Sequence, residues 1–170
     1  MSFLDLAKAR YSCRNLTAKK IEPEKIDRIL QAAIAAPTAV NKQPFKIWKV
    51  SSSAGIEKIK AVTKYTFGAE FFLVVGGKRE TAWVRPFDKA NFADVDASIV
   101  ATHIMLAVQD EGLGTTWVGF FDAPKLQEIF PEMKDYDLVA IFPIGYPSED
   151  AAPSNRHEVR RSVEELVAEL

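Results

Sequence analysis

Two arginines flank a Tyr-Ser-Cys segment close to the N-terminus. Arg10 and Arg14 stand four residues apart, around Tyr11, Ser12 and Cys13. Guanidinium groups stay charged and present planar donor forks that match phosphate or carboxylate oxygens. Arginines near a helix end are usually solvated surface groups, so this pair carries weight only together with other polar residues. The segment raises the possibility of a local anion-binding site.

A second polar segment lies between a helical pattern and a strand pattern. It reads APTAVNKQPF, residues 36–45, and places Thr38, Asn41 and Gln43 after Pro37. Such a loop is usually a plain connection built from turn residues. Its amide side chains nevertheless offer both donors and acceptors to a polar ligand.

The overall composition is nearly neutral, so an anion would have to be bound by a local group of basic residues. The chain has 170 residues, 22 basic and 23 acidic, with a net charge of −1. Binding to nucleic acid or an anionic membrane usually needs a basic face, so we expect neither partner. A single cysteine excludes an internal disulfide, and no apolar run reaches the length of a signal peptide or a membrane helix. We expect one cytoplasmic domain over residues 1–170.

Alternating hydrophobic periods predict the elements that must position these residues. Helical spacing covers residues 2–10, 22–37, 53–64, 94–111, 122–130 and 162–166, whereas extended runs cover 45–50, 70–77, 115–120 and 137–146. This order predicts a mixed α/β chain with one layer of sheet between helices.

The longest helical pattern runs from about Asp94 to Glu111 and ends at Gly112 or Gly114, either of which can adopt the left-handed conformation of a helix end. The spacing predicts one apolar stripe, formed by Val95, Ile99, Thr102, His103 and Leu106. On that stripe, His103 is interpreted as a core or interface histidine rather than a catalytic one.

Other catalytic and binding motifs find little support. The two histidines, His103 and His157, lie far apart without acidic neighbours, so no zinc site is expected. Neighbouring arginines could activate Cys13, but no histidine accompanies it in sequence and small cysteines are commonly buried. The segment GLGTTW lies between a helix and a strand, the reverse of the order in a dinucleotide fingerprint, which favours a helix-ending turn.

Taken in order, the polar segments resemble the FMN-dependent nitroreductase family. Arg10-Tyr11-Ser12-Cys13-Arg14 matches its first element, and Ala36-Pro37-Thr38 with Asn41-Lys42-Gln43-Pro44-Phe45 matches its second. The long helix with GLGTTWVGFFD, and the closing IGYP and RRSVEELV, match the third and fourth. The resemblance covers nearly the whole chain. It implies an α+β fold with a central, mainly antiparallel sheet flanked by helices, and an intertwined homodimer with an exchanged C-terminal segment.

The resemblance also implies which residues hold FMN, beginning with its phosphate. Arg10 and Ser12 are expected to hold phosphate and ribityl oxygens, with Tyr11 in the same motif. Arg160 and Arg161 of the C-terminal segment match the basic residues that complete this pocket, although Arg156 is an alternative register. Arg14 is assigned to the pyrimidine side of the flavin, where a cation stabilises the reduced ring.

Two further groups of flavin-binding residues are implied. The second cluster is expected to reach across the dimer to the flavin held mainly by the partner, through Pro37, Thr38, Ala39, Asn41 and Gln43. In the WVGFF turn, Val118, Gly119 and Phe120 are expected to pack along the ring, with the Gly119 N–H directed at N5.

The activity implied is electron transfer through the flavin. NAD(P)H would reduce N5 and leave before a nitroaromatic, a quinone or another small acceptor enters, with no side-chain acid or base required. The chain between Tyr65 and Asp94 is short. Its aromatic residues Phe67, Trp83 and Phe92 are expected either to line an acceptor pocket or to serve in core or dimer packing. Two alternatives stay open: a flavin-binding storage or sensing protein, and a flavin enzyme of the same fold with different chemistry, such as dehydrogenation or flavin fragmentation.

Overall fold

A computed structural model describes residues 2–170. The helices are α1 (Phe3–Ala9), α2 (Pro23–Ile34), α3 (Ser53–Lys60), α4 (Ala93–Asp110), α5 (Ala123–Ile129) and α6 (Val163–Leu166), and the strands are β1 (Phe45–Val50), β2 (Phe71–Gly77), β3 (Gly114–Thr115) and β4 (Asp137–Gly145). Short 3-10 turns occur at Ala39–Asn41 and Pro131–Met133. Across residues 2–170, none of the helices combines the length and apolarity needed to cross a membrane.

The four strands form one sheet in the order β1-β2-β4-β3, and every neighbouring pair is antiparallel. One buried cluster packs α2 and α4 against one face, and a second lies on the other face, towards α3 and α5. The predicted α+β fold, with a mainly antiparallel sheet flanked by helices, is confirmed.

Helix boundaries follow local chemistry. Capping boxes begin α1 at Ser2 and α6 at Ser162, and the Asp122 carboxylate accepts from the third residue of α5. In each case a side-chain oxygen accepts from a backbone N–H that lacks a partner within the helix. Pro23 occupies the first position of α2, where its missing N–H costs nothing. Gly112 adopts φ +69° just after α4, as expected of a glycine at a helix end.

The predicted apolar stripe of α4 is not the face that packs most deeply in the core of the chain. Ala93 is fully buried, as are the α4 residues that pack in the cluster shared with α2, namely Ala97, Val100, Ala101, Ile104 and Val108. Val95 of the predicted stripe is 46% exposed, and Ile99, His103 and Leu106 are only partly buried. This helix is apolar on two sides, so its periodicity alone cannot tell which face meets the sheet.

The predicted strand 115–120 is largely interrupted. Regular pairing ends at Thr115, and Val118 returns to β4 through a bridge to Ile141 in the same register. The intervening Trp117 packs edge-on against Phe142, with ring centroids 5.4 Å apart. The residues after Val118 therefore leave the sheet and are free to form a turn.

The N-terminal segment after α1 is fixed beside β3. The Cys13 N–H donates to the Thr115 oxygen at 2.9 Å, and the Cys13 side chain is fully buried, so its structural interpretation is favoured over a reactive thiol. A Cβ built on Gly114 would lie 2.8 Å from the Cys13 sulfur and 2.9 Å from a Leu16 methyl carbon. Only glycine permits this approach.

We predict that Gly114→Ala destabilises the protein by about 1–3 kcal/mol, because an added methyl would overpack a buried contact. Denaturant unfolding measures the change. Gly119→Ala is the matched control, since a Cβ there meets only Trp117 Nε1, at 3.9 Å. Equal stability of Gly114→Ala and the unaltered protein would contradict the close packing.

Candidate functional site

The predicted N-terminal cluster surrounds a small pocket. The pocket has a volume of about 180 Å³ and is lined by Arg10, Tyr11, Ser12, Arg14, Ser154, Arg156, His157 and Arg160. Arg10 lies at the C-terminal end of α1, and Ser12 forms a bridge with Thr115 beside β3. The structure thus brings together four predicted residues of the first motif and one predicted arginine of the C-terminal segment.

The charges in this arginine pocket are unbalanced. Burial, and then the nearby Arg160 cation, lower the pKa of Arg10 from its ordinary value. Among residues 2–170, none of the pocket's four arginines has a carboxylate within 4.0 Å. Repulsion between neighbouring guanidinium groups disfavours this arrangement, and a bound anion would relieve it. The pocket therefore has the chemistry of a phosphate or carboxylate site.

The C-terminal segment reaches the pocket along the N-terminal one. The Thr17 N–H donates to the Tyr146 oxygen at 2.8 Å, and the Ser148 N–H donates to the Asn15 oxygen at 3.1 Å. Further along, His157 Nε2 lies 3.0 Å from the Lys8 oxygen. These contacts hold residues 146–157 against the start of the chain.

The structure distinguishes among the C-terminal arginines. Arg156 and Arg160 both line the pocket, whereas Arg161 does not. The Arg161 guanidinium lies 3.8 Å from the Glu165 carboxylate and donates to the Glu165 backbone oxygen. The geometry favours Arg156 with Arg160 over the predicted Arg160 with Arg161, because Arg161 already has an anionic partner.

The predicted glycine turn lies next to the arginine pocket. Thr115 pairs with Ser12, and three residues later Val118 is buried against Ile141. Gly119 then faces open space, and Phe120 is 75% exposed. The hydroxyl of buried Thr63 donates to the Phe120 oxygen at 2.8 Å, which fixes the turn.

An aromatic group flanks this turn. The Tyr65 ring stacks on Phe67 at 5.9 Å between centroids and meets Phe120 edge-on at 5.7 Å. Trp83 and Phe92 instead pack against each other at 4.9 Å. Of the aromatic residues considered for an acceptor pocket, Phe67 alone belongs to this aromatic group.

The second predicted cluster, residues 37–43, forms a strained and largely exposed loop. Three of its residues, Val40, Asn41 and Gln43, have left-handed φ values of 46°, 54° and 50°. Each such non-glycine residue costs about 1–3 kcal/mol unless its surroundings hold it in place. Inside the loop, the Gln43 N–H donates to the Thr38 hydroxyl at 3.0 Å. Asn41 is exposed, so its amide is available to an external ligand.

The two clusters lie at opposite corners of the sheet. Phe45, just after the loop, pairs with Gly77, and Gly77 pairs with Asp137 at one end of β4. Thr115 pairs with Ile144 near the other end. These ends are roughly 23 Å apart along the strand, and β1 lies three strand spacings from β3, so the diagonal is about 27 Å. That is longer than one flavin mononucleotide.

A larger cleft of about 480 Å³ lies elsewhere, between residues 17–21, α2 and the ends of β1 and β2. Its lining includes Lys19, Lys20 and Lys49, together with Asp27 and Glu70. Its volume suits a small molecule better than the arginine pocket does. It contains no residue of either predicted cluster, so it provides a rival location against which the arginine pocket can be tested.

The sheet order, the long α4 and the two polar clusters together define a nitroreductase-like α+β protein. A model of the nitroreductase family matches residues 7–67 and 63–146. The chain belongs to the nitroreductase family, as the sequence motifs predicted.

Solved structures share the fold over nearly the full length. A nitroreductase family protein from Clostridium difficile 630 is 34% identical, with a TM-score of 0.91 over 99% of this chain and 98% of that one. A provisionally assigned nitroreductase from Desulfovibrio desulfuricans, solved in complex with FMN, is 24% identical, with a TM-score of 0.82 over 98% and 95% of the two chains.

Relatives by sequence carry more than one activity name. A Methanothermobacter thermautotrophicus protein with the provisional name NADH dehydrogenase/NAD(P)H nitroreductase is 28% identical over 88% of this chain and 80% of its own. Iodotyrosine deiodinase of Thermotoga neapolitana is 24% identical over 91% of this chain and 94% of its own. Family membership makes the chain a nitroreductase-type oxidoreductase and leaves its acceptor open.

Sequence reasoning missed some residues that the fold brings to these clusters. Ser154 and His157 line the arginine pocket, although no motif marked them. Asp96 contacts the 37–43 loop from the first turn of α4. The available signal was its position, because Asp96 is the second acidic residue in the first turn of a helix and is followed directly by Ala97 of the core.

Tyr11 should remain un-ionised well into the alkaline range. Burial, and then the neighbouring Cys13, raise the pKa of Tyr11 to about 12. An unfolded tyrosine titrates near pH 10, so the stability that Tyr11 contributes is complete below about pH 10 and is lost as the pH rises towards about 12. Alkaline titration of near-ultraviolet absorbance, comparing the unaltered protein with Tyr11→Phe, should assign the late transition to Tyr11. If Tyr11→Phe instead removes a transition near pH 10, the prediction is contradicted.

Proposed function

We propose that the protein is an FMN-dependent oxidoreductase that uses NAD(P)H to reduce a nitroaromatic, a quinone or a similar small acceptor. The carrying observation is the pocket of four arginines, which have no carboxylate partner among residues 2–170 and include Arg10 of the motif expected to hold the flavin phosphate. FMN in the D. desulfuricans nitroreductase supports the choice of cofactor. The provisional NAD(P)H name of the M. thermautotrophicus relative supports the donor.

The residues present fit FMN. Arg10, Arg156 and Arg160 would hold the phosphate, and the Ser12 hydroxyl would bind a phosphate or ribityl oxygen. The Arg14 guanidinium donates to the backbone oxygen of Ser12 at 3.3 Å. Arg14 is exposed at the side of the pocket, where it can approach the pyrimidine edge of the ring. Its positive charge would stabilise the reduced cofactor.

The glycine turn would form the reactive edge of the site. When bound, FMN supplies electron-pair transfer through N5, so that the donor and the acceptor react in turn. Gly119 offers an exposed backbone without a side chain of its own, Val118 supports it from the core, and Phe120 provides an exposed aromatic face. These residues would orient the flavin, and none needs to exchange a proton.

A homodimer would complete the site. The arginine pocket, at about 180 Å³, is smaller than the 300–1,000 Å³ typical of cofactor sites, and the 37–43 loop lies at the far corner of the same chain. A second copy would bring its loop, with Thr38 and Asn41, to the first copy's pocket. The exposed second apolar side of α4, which includes Val95 and Ile99, offers a surface for that pairing.

The C-terminal segment also fits a dimer. None of the four residues of α6 is buried, and a helix of one turn is not stable by itself in water. Its neighbourhood exposes five aliphatic residues, Val159, Val163, Leu166, Val167 and Leu170. We propose that these residues pack on the partner subunit, as the exchanged segment predicted from sequence would. Residues 1–170 would then form one domain of that dimer.

The acceptor would enter beside the aromatic group at Gly119. Tyr65, Phe67 and Phe120 provide ring faces on which a planar quinone or nitroaromatic can stack. The deiodinase relative keeps the same-fold alternative open, in which a flavin enzyme acts on another class of acceptor. A storage or sensing protein without turnover is the remaining alternative.

We predict that Arg10→Ala weakens FMN binding by about 1.5–3 kcal/mol, the usual scale for a lost hydrogen bond to a charged group. The purified protein should release about one FMN per chain, and titration of flavin-free protein gives the affinity. Lys20→Ala is the matched control, because it removes a cation from the rival cleft. Loss of affinity in Lys20→Ala, with Arg10→Ala unchanged, would move the flavin to that cleft.

Turnover separates the enzyme from a storage or sensing protein. We predict that NAD(P)H bleaches the bound flavin and that a quinone or a nitroaromatic restores its colour, with steady oxidation of NAD(P)H when both are present. Absorbance at the flavin and nicotinamide bands follows both steps. A flavin that stays oxidised in excess NADH and NADPH would rule out the proposed donor, and one that is reduced without steady turnover would favour storage or sensing.

A further inference from the structure

Asp96 is a buried carboxylate of which only one oxygen has a hydrogen-bonding partner among the described residues. It lies in the first turn of α4 and is 1% exposed. Its Oδ1 accepts the Ala39 N–H at 2.8 Å, while Oδ2 is buried with no partner among residues 2–170. Burying an unsatisfied carboxylate oxygen costs free energy, so a residue serving only to fill space would not be acidic here.

The Ala39 N–H lies inside the strained 37–43 loop. Ala39 comes directly after Thr38 and immediately before the left-handed Val40 and Asn41. The remaining backbone contacts of Thr38–Gln43 stay local: Asn41 donates to Thr38, Lys42 to Ala39 and Gln43 to the Thr38 hydroxyl. At the end of the loop, the Gln43 oxygen also accepts the Phe45 N–H at 2.9 Å, where β1 begins. Among the described residues, Asp96 is the hydrogen-bonding partner that a separate helix supplies to Thr38–Gln43.

The start of α4 suits a carboxylate in this role. Phe92 at the N-cap makes no side-chain capping bond, so the first turn relies on other groups. Helix N-termini carry partial positive charge, which favours Asp94 and Asp96 at this end. Because Ala93, Ala97, Val100 and Ala101 are fully buried, the helix holds the Asp96 carboxylate rigidly against the loop.

We infer that Asp96 is a positioning residue for flavin binding: through Ala39 it fixes the left-handed conformation in which the loop presents Thr38 and Asn41 to FMN across the dimer. This inference rests on the proposed function. Asp96 touches no cofactor atom itself. It acts by removing the entropy that an untethered loop would lose on binding, which makes the site pre-organised.

The central test compares Asp96→Ala with Asp96→Asn. The alanine variant loses the acceptor and should bind FMN about tenfold more weakly, the equivalent of one hydrogen bond. The asparagine variant keeps an oxygen for the Ala39 N–H and should restore most of the affinity. Flavin titration measures both, and sedimentation checks that each variant has the oligomeric state of the unaltered protein.

A stability control separates positioning from general destabilisation. Ile104→Val trims a buried side chain on the same helix, two turns from Asp96, and should lower the melting temperature while leaving FMN affinity unchanged. If Ile104→Val loses flavin in proportion to its stability, as Asp96→Ala does, the inference is overturned. Wild-type affinity in Asp96→Ala would overturn it as well.

A second variant removes the same hydrogen bond from the loop side. Ala39→Pro lacks the N–H, and the extended Thr38 before it, with ψ 158°, tolerates a following proline. Ala39→Pro should weaken FMN binding as Asp96→Ala does, which keeps the inference testable if Asp96→Ala does not fold. Unaltered affinity in Ala39→Pro would overturn the inference.

Hydrogen exchange makes the inference independent of the cofactor. In the full-length protein, the amides of residues 38–43 should exchange faster in Asp96→Ala than in the unaltered protein, while those of α4 beyond its first turn should not change. Should the unaltered protein bind no FMN, the proposed function fails, but this comparison still decides the role of Asp96. Equal exchange in the loop would show that Asp96 does not hold it.

Discussion

The hydrogen bond from the Cys13 N–H to the Thr115 oxygen is the contact on which the arginine pocket depends. It holds the segment after α1 beside the shortest strand of the sheet, and Gly114 allows the buried Cys13 to approach. The C-terminal segment then lies along that N-terminal segment, from Thr17 outwards. Arginines that are about 150 residues apart in sequence therefore meet because two peripheral segments follow one edge of the sheet. The guanidinium groups in this pocket repel one another, and a bound anion would relieve that repulsion.

The two clusters lie about 27 Å apart on the diagonal of the sheet, and this separation gives a physical reason for two chains to pair. In the proposed site, each chain would contribute one half at each of two opposite corners, and neither half would enclose a flavin alone. On the second apolar side of α4, Val95 is 46% exposed and Ile99 is only partly buried, and the aliphatic residues near α6 are exposed. A dimer would satisfy all three features at once, since burial of apolar surface would supply the driving force and the site would be completed as a result.

The sequence predicted the elements better than their faces. The caps at Ser2, Asp122 and Ser162 depend on chemistry within a few residues, as does the left-handed Gly112, which was one of the two glycines predicted to end α4. The buried side of α4 depends on what packs against it. Because the helix has two apolar sides, its sequence pattern does not show which one that is. Arg156 and Arg161 could not be separated for a similar reason, because Glu165 neutralises Arg161 only once α6 has formed. Family motifs selected the clusters, but only the fold showed that they are far apart.

Access to the glycine turn follows from how the short middle segment folds. Residues 78–92 close on themselves: Val84 bridges Asn91, the Phe92 N–H donates to the Trp83 oxygen at 3.0 Å, and their rings pack together. The segment turns back on itself through these contacts, although Phe87 is left exposed, and both Gly119 and Phe120 are exposed as well. The chain thus provides the floor of an acceptor site and no cover. In the proposed homodimer, the second subunit would therefore exclude water above the flavin, and acceptor selectivity would be set at the dimer interface rather than in either chain alone.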